Sequence, residues 1–301
     1  MGSNSAFPTS ERFPTAHVLN VHERFFLIDC GEGTQLQIRR NKIRFGKLNH
    51  IFISHLHGDH YFGIFGLIST LSLLGRKTDL HIYAMPDLEK MINFQLKYFY
   101  DPLQFKIIFH PLQHKTKEII FDNKNLEVAS FPLKHRIPTC GFLFKEKKHE
   151  ARIIKEMIDF YKIPIKDIVK IKQGSDFITP DGDKILNARL TNPAGEQRSY
   201  AFCSDTAYSE EIIPHIENVD LLYHEATFLH ELADQAKSSS HSTSYQAATI
   251  AKKANVKKLI IGHYSSRYKD ISPLVDEARA VFPETYPAIE NESFDVPFAR
   301  R

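Results

Sequence analysis

Cysteine is scarce in this chain of 301 residues. Cys30, Cys140 and Cys203 are odd in number, lie far apart and show no CxxC spacing. This pattern argues against a disulfide scaffold and is typical of a reducing compartment. We therefore expect a cytoplasmic protein.

Long apolar runs and a strong charge bias are also lacking. The longest strongly apolar stretch, around residues 64–74, is too short to span a bilayer. The first residues show no basic start followed by an apolar run, so we expect no signal peptide and no membrane partner. The formal net charge of +3 does not by itself indicate nucleic-acid binding.

The chain contains many short segments that read as strands, with helical patterns between some of them. The predicted helices cover residues 61–74, 244–254 and 276–281, and Thr243 and Gln246 have capping-box spacing ahead of the second. This order predicts an α+β fold, an αββα sandwich formed by a single domain over residues 1–301. The predicted strands cover residues 25–28, 50–54, 80–83, 126–133, 199–204, 221–223 and 258–262.

Residues 145–190 differ in composition from the rest of the chain. Residues 151–161 have apolar positions at helical spacing, and residues 145–172 hold nine Lys or Arg against five Asp or Glu, a local charge of +4. Because this exceeds the charge of the whole chain, we interpret 145–190 as an inserted, basic, partly helical arm.

Histidine is unusually frequent, with 16 copies, and its densest cluster is SHLHGDH at residues 54–60. Ligand-type residues also follow three other predicted strands, at His135, Asp205 and His263. Side chains at the ends of strands can converge at a sheet edge, so we predict one metal site. Its predicted donors are His55, His57, Asp59, His60, His135, Asp205 and His263.

Five imidazoles and two carboxylates suit Zn²⁺, with Mn²⁺ or Fe²⁺ as alternatives, and disfavour Mg²⁺ and Ca²⁺. Seven donors are too many for one tetrahedral ion, so we predict two zinc ions per subunit with one bridging carboxylate. In a non-helical loop His55 and His57 would face one ion, and Asp59 and His60 the other. His224 also ends a strand and is a rival ligand, which we interpret as structural.

These motifs resemble the metallo-β-lactamase superfamily and, within it, ribonuclease Z of the short form. The superfamily signals are SHLHGDH, the isolated His135, SDT (204–206) and GH (262–263). The more specific signals are DCGEGTQ (29–35), HEATF (224–228), HST (241–243) and HYSSRY (263–268). The resemblance implies an endoribonuclease that removes the 3′ trailer from precursor tRNA and leaves a 3′-hydroxyl.

The resemblance also implies roles for individual residues. Asp59, a ligand, would accept the proton of the attacking water. His241 would protonate the leaving 3′ oxygen, and Glu225 would orient the His241 ring. The basic arm would bind precursor tRNA, and by analogy the enzyme would be a homodimer in which one arm presents tRNA to the other subunit's site.

The chain departs from the family pattern in three places. The strand that usually precedes GSNSAFPT is missing because the sequence starts at that point, and we expect a truncation there. The PxKxRN loop is matched only at Pro8 and Arg12, with Ser10 and Phe13 in place of Lys and Asn. The Gly-Pro motif of the arm is replaced by IKQG (171–174).

Two alternative functions are also compatible with the sequence. The chain could be another dinuclear-zinc phosphodiesterase or hydrolase of the same fold, which would need neither the arm nor the pair formed by Glu225 and His241. It could instead be a catalytically inactive RNA-binding protein, but all seven metal donors are retained.

Overall fold

The structure is a computed structural model that describes residues 1–7, 9–98, 101–147, 150–192 and 197–296. Pro8, and Lys148 and His149 of the predicted arm, therefore lie outside the described residues. Among the described residues no helix has the length and hydropathy needed to cross a membrane.

The first sheet has the strand order β1-β2-β3-β4-β5 within the described residues. The β1 strand is antiparallel to β2, whereas β2 to β5 are parallel to one another. Its strands are β1 (His17–Val21), β2 (Arg24–Ile28), β3 (Leu48–Phe52), β4 (Leu80–Ala84) and β5 (Ile107–Pro111).

The second sheet begins with an antiparallel meander of three strands, β6 (Glu118–Asp122), β7 (Leu126–Pro132) and β8 (Cys140–Glu146). Short strand pairs follow in the arm: β9 (Arg152–Ile153), β10 (Phe177–Ile178), β11 (Lys184–Ile185) and β12 (Thr191–Asn192). Four strands then complete the second sheet: β13 (Ser199–Cys203), β14 (Leu221–Glu225), β15 (Leu259–Gly262) and β16 (Thr285–Pro287). The order of the described strands is β16-β15-β14-β13-β8-β7-β6.

The helices lie between these strands along the chain. Those of the first half are α1 (Thr34–Arg40), α2 (Gly58–Tyr61), α3 (Gly63–Leu73) and α4 (Asp87–Leu96). Those of the arm are α5 (Lys155–Phe160), α6 (Ile165–Lys172) and α7 (Asn187–Leu190). Those of the second half are α8 (Ile213–Ile216), α9 (Ala233–Ser239), α10 (Ser244–Lys253) and α11 (Ser272–Val281). Short 3₁₀ helices occur at Phe45–Lys47, Glu210–Ile212 and His230–Leu232.

Three buried clusters show that the two sheets face each other with helices on their outer sides. Aromatic side chains from both sheets, such as Phe52 and Phe142, fill the space between them. Residues of α1, α3 and α4 pack on the outer face of the first sheet. Residues of α8, α10 and α11 pack on the outer face of the second sheet. This is the αββα sandwich that the sequence predicts.

The arm has a small core of its own, formed by Ile163, Ile171, Phe177 and Leu190. The segment predicted as 145–190 has different ends in the structure. Lys145 still belongs to β8, where it pairs with Ser199 of β13, and β12 lies beyond residue 190. The helix predicted at 151–161 is shorter than expected, because β9 pairs with β12 and the helix begins only after that strand.

Candidate metal centre

The strand directions bring the predicted donors to one edge of the sandwich. Strands β13, β14 and β15 are parallel, and β7 runs in their direction because both β7 and β13 are antiparallel to β8. The carboxyl ends of these strands therefore lie at the same edge, followed by His135, Asp205 and His263. The carboxyl ends of β2 and β3 lead into Asp29 and His55 at the facing edge.

All seven predicted donors meet at this place, in two groups. In the first group, the ligand atoms of His55, His57, His135 and Asp205 all lie within 4.8 Å of one another. The ligand atoms of Asp59, His60 and His263 form the second group by the same measure. His55, His60, His263 and Asp205 are almost fully buried, whereas His57 and His135 are partly exposed.

Asp205 lies between the two groups, with one carboxylate oxygen toward each. Its Oδ2 is 3.5 Å from Nε2 of His55 and 3.6 Å from Nε2 of His135. Its Oδ1 is 3.2 Å from Nε2 of His60 and 3.1 Å from Nε2 of His263. This is the arrangement that a carboxylate shared by two cations requires.

Asp59 and His60 reach the second group from a short helix rather than from the non-helical loop that the sequence suggested. Helix α2 begins at Gly58, with His57 as its N-cap residue. His57 has extended backbone angles and stays with His55, since its Nδ1 is 3.0 Å from Nε2 of His55. The change from extended to helical backbone at Gly58 thus separates the two halves of the motif.

Four of the five histidines are held through Nδ1, so that Nε2 faces the donor groups. His60 Nδ1 is 2.7 Å from Oδ2 of Asp29, and His135 Nδ1 is 2.9 Å from the carbonyl oxygen of Ser240. His55 Nδ1 contacts the Ser54 hydroxyl, and His263 Nδ1 contacts the Thr227 hydroxyl. Contacts of this kind orient metal-binding imidazoles and hold the proton on Nδ1, which leaves the lone pair of Nε2 free to bind a cation.

The described residues leave several buried polar atoms here without a hydrogen-bond partner. These atoms are Oδ2 of Asp59 and Nε2 of both His60 and His263. Such atoms are costly in a protein interior unless another group satisfies them. A cation between them would do so, and nitrogen and carboxylate donors are those that zinc prefers. The residues present therefore fit a metal centre.

The electrostatics favour the metal-binding forms of His55, His57, His135 and Asp205, whereas they favour the protonated form of His60. Burial lowers the pKa of His57 to about 4 and also lowers the pKa of His55 and His135, so these rings are neutral at neutral pH. Burial opposes ionisation of Asp205, but the surrounding histidines hold its pKa well below its usual range. Burial likewise opposes protonation of His60, yet three carboxylates hold its pKa well above its usual value. The proton on Nε2 of His60 faces Asp59 and Asp205, and a bound cation would take its place.

His241 and Glu225 form an ion pair beside the two groups. The Nδ1 of His241 is 2.8 Å from Oε1 of Glu225, which is fully buried and also accepts from the backbone N–H of Thr206. Burial opposes both charges, but each partner stabilises the other: the pKa of His241 rises to about 9 and that of Glu225 falls to about 2. The His241 ring lies 5.3 Å from the rings of both His135 and His263.

His241 also lies within reach of a third group of ligand atoms, with Asp205 and His263. Geometry alone thus allows it to be either a metal ligand or a proton donor. His224 is different: its Nδ1 donates to the backbone oxygen of Glu225, and it belongs to none of the ligand groups found among the described residues.

Two further residues of the site were not among the predicted ones. Asp29 is fully buried and accepts from the backbone N–H and hydroxyl of Ser54 as well as contacting His60. It directly follows β2, so the rule that selected His135 and Asp205, a polar residue after an apolar strand, would have found it. Thr227 contacts both Glu225 and His263, and no signal outside the HEATF motif indicates it.

The chain is similar to several known proteins. Residues 1–154 match the family model described as "Anti-Pycsar protein Apyc1". A curated ribonuclease Z from Bacteroides thetaiotaomicron is 50% identical over 291 residues, which is 97% of this chain and 92% of the relative. The crystal structure of human tRNase Z, short form, superposes with a TM-score of 0.71 at 27% identity, over 98% of this chain and 97% of that one.

A second solved structure has the same fold at lower identity. It is the metallo-β-lactamase fold protein YhfI from Bacillus subtilis, with a TM-score of 0.64 and 23% identity over 96% of this chain and 94% of that one. The metallo-β-lactamase fold predicted from the sequence is thereby confirmed. The family model ends before Asp205, Glu225, His241 and His263, whereas the match to the curated relative spans 97% of the chain.

Proposed function

The chain belongs to the ribonuclease Z family, and from that premise we propose how its residues remove the 3′ trailer from precursor tRNA. The activity is that of a metal-dependent endoribonuclease acting on tRNA 3′ ends. The observation that supports our mechanism most strongly is the position of Asp205, whose two carboxylate oxygens face two separate groups of donors.

We assign the donors to two zinc ions. His55, His57 and His135 would hold one ion, Asp59, His60 and His263 the other, and Asp205 both. When bound, such a pair supplies a water activated for attack on phosphorus and positive charge that stabilises the phosphoryl oxygens in the transition state. The chain's own residues then have to move protons and orient the RNA.

Asp59 is positioned to take up the proton of the attacking water. Its Oδ2 is buried, has no hydrogen-bond partner among the described residues, and lies 3.2 Å from Nε2 of His60. His241 is positioned to donate a proton to the leaving ribose 3′ oxygen. Because its Nδ1 is bound to Glu225, the donating atom is Nε2. Products are a tRNA with a 3′-hydroxyl and a trailer with a 5′-phosphate.

A paired substrate assay tests this function. Purified protein is incubated with a precursor tRNA and, separately, with bis(p-nitrophenyl) phosphate. Cleavage of the precursor at the trailer junction is expected, whereas hydrolysis of only the small ester would contradict the assignment. The alternative of another dinuclear-zinc hydrolase of this fold is not favoured, because a ribonuclease Z matches the chain almost from end to end.

The basic arm is proposed to bind the tRNA backbone. The arm has exposed basic side chains at Arg152, Lys155, Lys162, Lys166 and Lys170. Lysine and arginine at such positions contact phosphates and recognise the shape of an RNA more than its bases. Following the family resemblance, we propose a homodimer in which one arm serves the partner's site, and a cytoplasmic location consistent with three buried free cysteines.

Removing the arm should weaken tRNA processing far more than small-ester hydrolysis. Glu146 N–H donates to the carbonyl oxygen of Arg198 at 2.9 Å, so a short Gly-Ser linker can replace residues 148–196 without disturbing the pairing of β8 with β13. This deletion removes the small arm core as a whole. We expect a loss of roughly 10²-fold or more in kcat/KM for precursor tRNA, consistent with several lost phosphate contacts. Equal losses for both substrates would refute the arm's role.

Losing Asp29 should weaken zinc binding. The Asp29→Ala change releases His60 and, through Ser54, His55, and removal of such orienting groups typically costs about 10–100-fold in metal affinity. A chelator-competition titration with zinc measures the effect. Asp29 has a φ of 57°, a left-handed conformation that asparagine tolerates. Asp29→Asn is therefore the matched variant, which removes the charge without straining the backbone. Wild-type affinity in Asp29→Ala would show that this carboxylate does not support the centre.

A further inference from the structure

The hydroxyl of Thr227 lies at the junction between the acid pair and the metal centre. Thr227 is only 3% exposed and follows β14 by two residues. Its Oγ1 is 2.6 Å from Oε2 of Glu225, 2.9 Å from Nδ1 of His263 and 3.1 Å from the carbonyl oxygen of His263. It is also 3.5 Å from Nδ1 of His241. One hydroxyl therefore contacts three residues assigned to two different tasks.

A hydroxyl has a single proton to donate, and this limits how the contacts can be made. A carboxylate is ionised at neutral pH and can only accept, so the short contact with Glu225 requires Thr227 to be the donor there. The oxygen of Thr227 then accepts the proton on Nδ1 of His263. This leaves Nε2 of His263 with a free lone pair, directed at Oδ1 of Asp205 at 3.1 Å and Oδ2 of Asp59 at 3.7 Å.

The backbone of His263 is in an unfavourable conformation close to its contact with Thr227. His263 has a φ of 59°, in the left-handed region that is unfavourable for a non-glycine residue. Its segment is held against the Thr227 segment by backbone hydrogen bonds from Ala226 to Gly262 and from Ser265 to Thr227. Thr227 is thus close to both the ring and the backbone of a residue in an unfavourable conformation.

We propose that Thr227 is a positioning residue that fixes His263 with its proton on Nδ1 and thereby links the Glu225–His241 pair to the metal centre. The position of the Glu225 carboxylate determines where the Thr227 proton points, and this determines whether the free lone pair of His263 faces the donors. The inference rests on the proposed metal-dependent function, because His263 is assigned there as a ligand.

Three variants test the proposal. Thr227→Val keeps the shape of the side chain but removes the hydroxyl, Thr227→Ser keeps the hydroxyl and removes a methyl group, and Ser130→Ala is the control. Ser130 is buried on β7, and its hydroxyl has no hydrogen-bond partner among the described residues. Zinc affinity is measured for each protein by chelator competition, and folding is checked by circular dichroism.

We expect Thr227→Val to bind zinc about 10–100-fold more weakly than the wild type, the range typical of groups that orient metal ligands. Thr227→Ser and Ser130→Ala should stay within a few-fold of the wild type. Wild-type zinc affinity in Thr227→Val would overturn the proposal, and so would equal losses in Thr227→Val and Thr227→Ser, which would indicate a packing role. If Thr227→Val does not fold, Thr227→Ala removes the hydroxyl without placing a methyl group against the carboxylate.

The same titration separates this inference from the function on which it depends. Failure of the wild-type protein to bind zinc would contradict the proposed metal centre itself. Tight zinc binding by both the wild type and the hydroxyl-free variants would leave the centre intact and overturn only the role of Thr227.

Discussion

Replacing Asp59 with alanine is expected to abolish cleavage of precursor tRNA, by roughly 10⁴-fold or more in the single-turnover rate, while tRNA binding persists. Asp59 has two tasks in the proposed mechanism. It contributes a ligand atom beside His60 and His263, and it accepts the proton of the attacking water. Its removal affects the chemical step, whereas the proposed RNA contacts lie on the arm. The rate of cleavage is measured with end-labelled precursor tRNA, and tRNA binding with a filter-retention assay.

Asp59→Asn separates these two tasks, because an asparagine oxygen can still contact a cation but does not accept a proton at neutral pH. We expect it to retain more metal than Asp59→Ala and to remain inactive. Asp101→Ala, which removes an exposed carboxylate, serves as the surface control and should behave as the wild type. Cleavage by Asp59→Ala within tenfold of the wild type would refute the assigned role.

The second large effect is expected for His241→Ala, which should slow tRNA cleavage by about 10²–10⁴-fold, the range typical of general acid catalysis. The 2.8 Å contact between Nδ1 of His241 and Glu225 leaves Nε2 as the proton donor. The metal content should be unchanged. Loss of a metal ion from this variant would instead make His241 a ligand, which its proximity to Asp205 and His263 allows.

The leaving group provides the control for this prediction. A ribose 3′ oxygen leaves poorly unless it is protonated, whereas p-nitrophenolate leaves readily without a proton. Hydrolysis of bis(p-nitrophenyl) phosphate should therefore fall much less in His241→Ala than cleavage of precursor tRNA does. Equal losses for the two substrates would contradict a role as the acid. Glu225→Gln keeps the shape of the side chain that contacts His241 but removes its charge. Like His241→Ala, it should slow tRNA cleavage more than hydrolysis of the small ester.

Seven strands could be predicted from local pattern, because buried strands read as short apolar runs with clear ends: β2, β3, β4, β7, β13, β14 and β15. The predicted strands do not include β1, β5, β6, β8 and β16. The start of α10 was also predictable, since Thr243 and Gln246 form the capping box that their spacing indicates. The strand at residues 152–153 was not predictable, because it pairs with Thr191 and Asn192 and no local sequence pattern indicates such a distant partner. The nearly continuous apolar sequence of residues 61–74 predicts a buried helix, yet Leu73 at the end of α3 is 86% exposed.

The donor residues could be selected from the sequence, and so could the separation of His55 and His57 from Asp59 and His60. The groups that the distant donors join, and the residues that support them, could not. Placing ligand types after strands was enough to choose His135, Asp205 and His263. The sharing of Asp205 between two groups depends on which of its oxygens faces which ring, and this follows only from the packing of two sheets. Thr227 also requires the structure, because its partners include His263, which is 36 positions away in the chain.

The number of zinc ions that the purified protein holds tests the proposed two-ion centre most directly. The protein is loaded with zinc, dialysed free of excess metal, and its zinc is measured by inductively coupled plasma mass spectrometry against the protein concentration. We expect two zinc ions per chain in the wild type and a clear reduction in Asp205→Ala, which removes the carboxylate that faces both donor groups. One ion or fewer in the wild type, or an unchanged count in Asp205→Ala, would contradict it.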